Sequence, residues 1–201
     1  VTRDLDGVTR SGDVHWHGCD LMDVQQTAAL IDSVKPTHLL HLAWYGVPGL
    51  YRSSTENIRW VRASLSLVEH FLRHGGQRVT VAGTCAEYEW RHGPCQEGVT
   101  PIGPSDLYSV CKHALHLMLN SWTQHMDFSL GWGRVFFLYG PFEGPNRLVS
   151  SVIGSLLNNE PALCTEGHQE RDFLHVDDVA DALVTLLDSG VEGPVNIASG
   201  K

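Results

Sequence analysis

Apolar positions along the chain follow two alternating rhythms. Residues 24–34 place Ala28, Leu30, Ile31 and Val34 at helical spacing, and Pro36 closes the run. Residues 38–44 (HLLHLAW) form a continuous apolar run bounded by turn residues, as in a strand covered on both faces. Residues 55–74 return to helical spacing at Ile58, Val61, Leu65, Val68 and Leu72, and Gly75-Gly76 stops them. A second buried strand is predicted over 78–82 (RVTVA). The alternation continues with a helix over 105–125 behind Pro104, a strand over 129–138 ending at Gly140-Pro141, and a helix over 148–157. A helix over 177–187 follows, with Asp177 or Asp178 as its N-cap, and 195–197 make a closing strand. Residues 13–20 (DVHWHGCD) predict a short strand ahead of all these. Strands alternating with helices imply βαβ units, so the expected class is α/β with a doubly wound parallel sheet. Such sheets bind ligands at the carboxyl ends of their strands.

The helix over 105–125 is apolar on two sides. Val110, Ala114 and Leu117 share one side with Ser121, while Leu115, Leu119 and Trp122 share another. One side would cover the sheet; the second either thickens the core or meets a partner subunit.

Composition narrows the class. With 201 residues the chain can bury a core of its own, and 42% hydrophobic against 18% charged residues reads as globular rather than disordered. A formal net charge of −9 argues against a nucleic-acid partner, whose phosphates require Lys and Arg. No apolar run is long enough to span a bilayer, and no signal-peptide pattern opens the chain, so no membrane partner is expected. Five widely spaced cysteines without a Cys-x-x-Cys suggest neither a disulfide framework nor a zinc site and fit the cytoplasm. His15 and His17 would share a strand face, but no further ligand cluster accompanies them, and no metal is expected.

The candidate chemistry centres on Tyr108-Ser-Val-Cys-Lys112. Positions i and i+4 share a helix face, so phenol and ammonium can share a site. A free phenol has a pKa near ~10, and a neighbouring cation lowers it, which equips Tyr for proton exchange with an alcohol or carbonyl. The spacing alone equally fits a surface pair. Thr84, just beyond the strand over 78–82, adds a hydroxyl at the carboxyl end of a parallel strand. Cys111, beside Lys112, reads as a small helix residue, since no base is placed next to it.

These residues sit in segments that resemble, in order, an extended short-chain dehydrogenase/reductase of the NAD-dependent epimerase/dehydratase group, which acts on nucleotide sugars. Asp20-Leu21-Met22-Asp23 resembles the acidic turn that touches the cofactor adenine. Residues 36–44 (PTHLLHLAW) resemble the strand ending in His-Leu-Ala-Ala, and Asn57 resembles the Asn that opens the next helix. Residues 83–88 resemble Ser-Ser-x-x-Val-Tyr, which puts Thr84 at the catalytic Ser/Thr position; Tyr108 and Lys112 fall on the catalytic pair. Residues 134–141 (RVFFLYGP), 171–179 (RDFLHVDDV) and 196–200 (NIASG) resemble the segments that follow.

The resemblance implies a Rossmann-type domain over 1–145 and, over 146–201, the start of a small substrate lobe interleaved with the last Rossmann elements. It implies NAD(P) held by Arg3, Asp20, Leu21, Leu42, Ala43, Trp44, Asn57, Tyr108, Lys112 and Phe136. Phe136 fits a core position equally well. It implies a nucleoside-diphosphate sugar held by Thr84, Phe137, Arg147, Leu148 and Arg171, with Arg171 on the diphosphate. The alternative for Arg171 is a structural pair with Asp172, and for Arg147 a solvated loop position. A homodimer through the two long helices is also implied, with Leu115 and Leu119 in the shared face.

Departures from the family pattern refine these expectations. The Gly-x-x-Gly-x-x-Gly loop is absent, residues 1–3 resemble the end of the second strand, and the chain stops before most of the C-terminal lobe, so a fragment is expected. Arg3, near the ribose position, tilts the cofactor towards NADP(H). Cys85 and Ala86 follow Thr84 where dehydratases carry acids, which argues against dehydration. Phe137 stands where the family has Asn, which implies an altered sugar pocket. The expected activity is therefore 4-epimerisation or 4-keto reduction, with a truncated, non-catalytic cofactor- or partner-binding module as the alternative.

Overall fold

The computed structural model describes Thr2 and residues 13–201. Along the chain run α1 (Val24–Val34), β1 (His38–His41), α2 (Glu56–Arg73), β2 (Arg78–Thr84), α3 (Leu107–Trp122), β3 (Ser129–Val135), β4 (Phe137–Tyr139), α4 (Leu148–Leu157), β5 (Phe173–His175), α5 (Val176–Asp188) and β6 (Gly193–Ile197). Two single-turn 3-10 helices, Cys85–Glu87 and Trp90–His92, follow β2. The main sheet has the order β1-β2-β3-β6 with every pair parallel, and β4 and β5 form a second parallel pair. No helix among the described residues is long and apolar enough to cross a membrane.

Alternation along the strands divides the sheet into two covered faces. Val79, Val81, Leu130 and Trp132 point to one face, where Val68 and Phe71 of α2 and Leu115 and Leu119 of α3 complete a core. Full burial of such a Leu contributes about 1.5–3 kcal/mol. Gly131 and Gly133 of β3 point the other way, towards α5. A Cβ on Gly133 would lie 2.7 Å from Leu183 Cδ2, so glycine lets α5 close on the sheet. Val179 and Leu183 of α5 pack there with Ile197. Helices on both faces of a parallel sheet make the doubly wound α/β fold that the alternation predicts.

Local signals account for most boundaries. The Asp23 carboxylate accepts from Gln25 and Gln26 N–H to start α1, which ends at Lys35 in a left-handed conformation ahead of Pro36. Asp106 caps α3 by accepting from Ser109 N–H.

Other boundaries differ from expectation. Residues 13–20 make no extended ladder: among the described residues, pairing there is confined to a Thr2–Gly18 bridge. The strand expected over 38–44 stops at His41, and Leu42 beyond it is exposed; within β1 both faces are met, Leu39 packing towards α2 and α3 and Leu40 towards α5. Residues 129–138 are two strands. Phe136 N–H donates to Ile197 of the main sheet and Phe137 N–H to Asp172, so the chain crosses from one sheet to the other at that step. β5 was not foreseen from the sequence. The cap of α5 is His175, whose ring accepts from Asp177 N–H, rather than Asp177 or Asp178. On α3, Leu115 and Leu119 are wholly buried against α2 and the sheet, so they are not part of an outward face. The outward apolar residues are Val110, Leu117 and Met118, with Ile58 on α2.

Candidate active site

A cleft of about 1930 Å³ opens at the carboxyl ends of β2 and β3. Thr84 and Tyr108 line it together, with Tyr51, Phe136, Phe137, Arg147, Leu148 and Arg171 around them. β2 delivers Thr84 at its last residue, and the first turn of α3 delivers Tyr108. The backbone there is pinned: Tyr108 N–H donates to Arg52 O at 3.0 Å, and Arg52 pairs with Asp106. Tyr51 meets the Tyr108 ring edge-on, with centroids 4.9 Å apart.

Of the three residues expected to act together, Thr84 and Tyr108 share the cleft, whereas Lys112 lines no part of it. Burial pushes the Tyr108 phenol up to about 12 rather than below its usual range, with Thr84 beside it pulling the other way. Lys112 points away from the cleft. Its ammonium donates to Ala82 O at 2.8 Å and lies 4.0 Å from the centroid of the Trp44 ring. It is buried, and loss of solvent brings it down to about 7. The expected lowering of the phenol by Lys112 is not found: loss of solvent is the first cause of the shift in each group. His41 nearby is lowered to about 3, first by burial and then by the Lys112 charge.

Trp44 holds its place through Asn57. The indole N–H donates to Asn57 Oδ1 at 2.8 Å, while Asn57 Nδ2 donates to Tyr51 O at 2.6 Å and Ser54 O at 2.8 Å. Asn57 is thus buried and spent on the loop over the site; it does not line the cleft. Trp44 lines the cleft, whereas Leu42, Ala43, Asp20 and Leu21 do not. Asp20 Oδ1 accepts from Met22 N–H at 3.0 Å, shaping the turn before α1. Arg3 lies outside the described residues.

On the other side of the cleft, the Arg171 guanidinium lies 5.1 Å from the Phe137 ring and 5.7 Å from the Trp90 ring. The Asp172 carboxylate is engaged elsewhere, accepting from Ser199 and Gly200 N–H at 2.7 Å each. Phe136 packs near Tyr88 and Trp90, with centroids 6.5 and 6.0 Å away. Arg147 is exposed at the N-cap of α4, and Leu148 follows it at the rim.

Several residues of the site escaped sequence reasoning. Glu87 is buried beneath Thr84 and bonds Trp132 and Arg134. Arg134 in turn donates to the Tyr88 hydroxyl, which donates to Asn196. An acid inside an otherwise apolar turn was the available signal; its partners lie on β3, 45 and 47 residues away. Among the described residues Glu87, His113 and His116 gather potential metal-ligand atoms within 4.8 Å of one another. The Arg134 guanidinium already occupies that carboxylate, which makes the place unfavourable for a cation.

Comparison with known proteins places this arrangement. The model of the NAD dependent epimerase/dehydratase family matches residues 2–198. UDP-glucuronate 4-epimerase of Thermodesulfobacterium geofontis is 24% identical over 206 residues, covering 98% of this chain and 62% of that protein. CDP-abequose synthase of Salmonella typhimurium is 39% identical over 88 residues, covering 43% of this chain and 29% of that protein. The structure of UDP-N-acetylglucosamine 4-epimerase from Bacillus cereus superposes with a TM-score of 0.82 at 20% identity, covering 100% of this chain and 66% of that one. The chain therefore spans about two thirds or less of the length of these relatives.

Proposed function

Because the chain belongs to the NAD dependent epimerase/dehydratase family, we propose that it takes part in 4-epimerisation or 4-keto reduction of a nucleoside-diphosphate sugar, with Tyr108 moving the proton. Thr84 and Tyr108, brought to one cleft by the end of β2 and the first turn of α3, carry this reading. A phenol held protonated is suited to donate to a carbonyl oxygen as it becomes a hydroxyl, and Thr84 holds that oxygen. In the opposite direction the phenol must lose its proton, and the Lys112 charge behind it favours that loss when present.

The groups open to the cleft fit the nicotinamide end of NAD(P): two hydroxyls, from Thr84 and Tyr108, beside the flat wall of Phe136. When bound, that cofactor exchanges a hydride with the sugar carbon. We assign Trp44 and Asn57 to the cofactor side through the loop they hold, and Lys112 to the charge behind the pair. Asp20, Leu21, Leu42 and Ala43 remain assigned to the adenine and ribose side, on the family resemblance. The lean towards NADP(H) rests on Arg3 alone.

On the substrate side, the exposed Arg171 guanidinium suits a diphosphate, with Phe137, Arg147 and Leu148 lining the path beside it. Relatives named for UDP and CDP sugars support a nucleotide-sugar substrate. Dehydration is disfavoured by the turn itself: burial pushes the Cys85 thiol up to about 12, and Ala86 offers no acid. We further propose that 146–201 begin a substrate lobe, since α4 buries no residue while α5 and β6 complete the main fold. Five free cysteines suit a reducing cytoplasm. The outward face of α2 and α3 is the proposed dimer contact, and Leu117→Glu gives monomers by ultracentrifugation if it is.

The deciding experiment incubates the protein with UDP-glucose or UDP-N-acetylglucosamine, and with a 4-keto nucleotide sugar plus NADPH, and follows products by NMR. An epimer without net cofactor use identifies an epimerase, and stoichiometric NADPH oxidation a reductase. Release of water from the sugar rules out the reading. The covered Lys112 ammonium favours the second reading, a binding module without turnover. Micromolar cofactor binding by calorimetry with no turnover of any of these sugars would support it.

A further inference from the structure

The turn that carries Thr84 is built around a carboxylate. Glu87 is fully shielded from solvent. Its Oε1 accepts from Thr84 N–H at 3.0 Å and from the Trp132 indole N–H at 2.9 Å. Its Oε2 accepts from Arg134 Nε at 3.1 Å and faces His113 Nδ1 at 3.6 Å. A buried ion pair is costly unless good geometry and further hydrogen bonds satisfy its remaining sites. Here three donors and the facing imidazole surround the carboxylate. The backbone is shaped to admit it: a Cβ on Gly83 would lie 2.9 Å from Glu87 Oε1 and 2.2 Å from Trp132 Nε1. Any side chain at position 83 would displace the indole or the carboxylate.

The neighbours of this carboxylate come from three elements. The end of β2 contributes Thr84, whose hydroxyl accepts from Ala86 N–H at 3.2 Å and which lines the cleft with Tyr108. β3 contributes Trp132 and Arg134. α3 contributes His113 and His116, and farther off Tyr108 and Lys112, all within reach of its charge. The His116 ring stacks on Trp132 at 4.7 Å, and neither of its nitrogens has a hydrogen-bond partner. Burial lowers His116 to about 4, so this ring brings no positive charge to the cluster at neutral pH. Arg134 is the close cation; Lys112 is the second basic group.

We propose that Glu87 is the positioning residue of the site: its carboxylate fixes the Thr84 turn against Tyr108 and supplies the negative field beneath Tyr108 and Lys112. This rests on the reading of Thr84 and Tyr108 as the reacting pair. The field has a definite sign. It favours the ammonium of Lys112 and opposes the phenolate of Tyr108, keeping the phenol in the form that donates. Glu87 itself lines no part of the cleft, so it acts only through its neighbours.

The test separates shape from charge. Glu87→Gln keeps the length and an acceptor for Thr84 N–H but removes the charge; Glu87→Val removes both. Glu87→Gln leaves Arg134 buried without its partner and can fail to fold, so Glu87→Gln/Arg134→Met, which removes both charges, is the second variant. The first readout needs no substrate. The chain has three lysines, Lys35, Lys112 and Lys201, so their 13Cε signals can be followed by NMR across pH. Lys112 titrates at about 7 in the parent. In Glu87→Gln its midpoint falls, and in the double variant, which also removes the Arg134 charge, it falls by less. An unchanged Lys112 midpoint in folded Glu87→Gln, or in the double variant measured against Arg134→Met, overturns the proposal. The second readout uses UDP-glucose and UDP-N-acetylglucosamine as probes. Glu87→Val loses about 10²-fold in kcat with KM little changed, as expected for a displaced catalytic hydroxyl. Glu87→Gln recovers most of that kcat but reaches its alkaline limit at lower pH. Equal kcat and pH profiles in all variants and the parent also overturn the proposal. A Lys112 shift in a protein that turns over neither sugar supports the role of Glu87 and counts against the proposed reaction instead.

Discussion

Helices α3 and α4 differ in a way that their residues do not announce. α4 carries Leu148, Val149, Val152, Ile153, Leu156 and Leu157 in ten residues, yet none of its residues is buried. α3 buries Ser109, Cys111, Lys112, Leu115, His116 and Leu119, three of them polar or ionisable at neutral pH. The cause is position. α3 packs against both α2 and the sheet, and residues 112, 115, 116 and 119 share one helical face, so whatever stands on that face is taken inside. Lys112 enters with the leucines, and the Ala82 carbonyl and the Trp44 ring offset the loss of water around its charge. α4 lies outside both hydrophobic clusters, beside the cleft mouth, and its leucines remain at the surface. Apolar content sets how much a helix gains by being covered; the neighbouring layers decide whether it is covered.

The contrast can be broken or sharpened by substitution. The largest effect is expected at the point where α3 reaches the cleft. Tyr108→Phe removes one hydroxyl and keeps the ring, so turnover of the responsive nucleotide sugar falls by ~10²–10⁴-fold. The melting temperature should hardly move; near-normal turnover would mean that the first turn of α3 is structural only. Next comes Leu115→Ala in the middle of α3. A wholly buried Leu lost to Ala costs about 2–5 kcal/mol, measurable by urea denaturation. A cost below about 1 kcal/mol there would deny that α3 is the central helix of the core.

The third prediction concerns pH. Lys112 titrates at about 7 in the folded chain, below the value near ~10.4 of an unfolded lysine. Between those values the unfolded state binds the extra proton, so stability rises with pH, by up to about 1.4 kcal/mol per unit. Below the folded midpoint both states are protonated and this gain is gone. Lys112→Met therefore removes the rise between neutral and alkaline pH, and chemical denaturation at several pH values would detect it. A parallel pH profile for the two proteins would mean that Lys112 keeps an ordinary pKa. The smallest effect is expected on α4. Leu156 is 62% exposed, so Leu156→Ala changes stability by no more than about 0.5 kcal/mol. A loss like that of Leu115→Ala would show that α4 is covered in solution and that its contrast with α3 is not real.

The same contrast explains what could be read in advance. The Thr84–Tyr108 meeting was legible, because a hydroxyl at the end of a parallel strand and a Tyr in the first turn of a following helix both arrive at the carboxyl edge of the sheet. The state of that pair was not. Its electrostatics depend on Trp44, whose indole covers Lys112 because Asn57 holds it there, and on Glu87, whose partners are on β3. None of these pairings has a fixed spacing along the chain. The expected mutual face at Leu115 and Leu119 failed for a related reason: two apolar helix sides look alike until the layers around them are known.

From the amino-acid order alone came the helices at their periodic positions, the parallel α/β architecture, the family, and the three residues of the candidate pair and its lysine. These follow from local rules: the 3.6-residue and two-residue periods, caps, and breakers act within a few residues of one another. Tertiary structure alone decided that β1 stands at the end of the described sheet, that the chain changes sheets at Phe136, that Lys112 is buried while α4 is not, and that a carboxylate underlies Thr84. Solvent exclusion around a charge is set by every layer that surrounds it, and those layers come from segments as far apart as Trp44, Glu87 and Arg134.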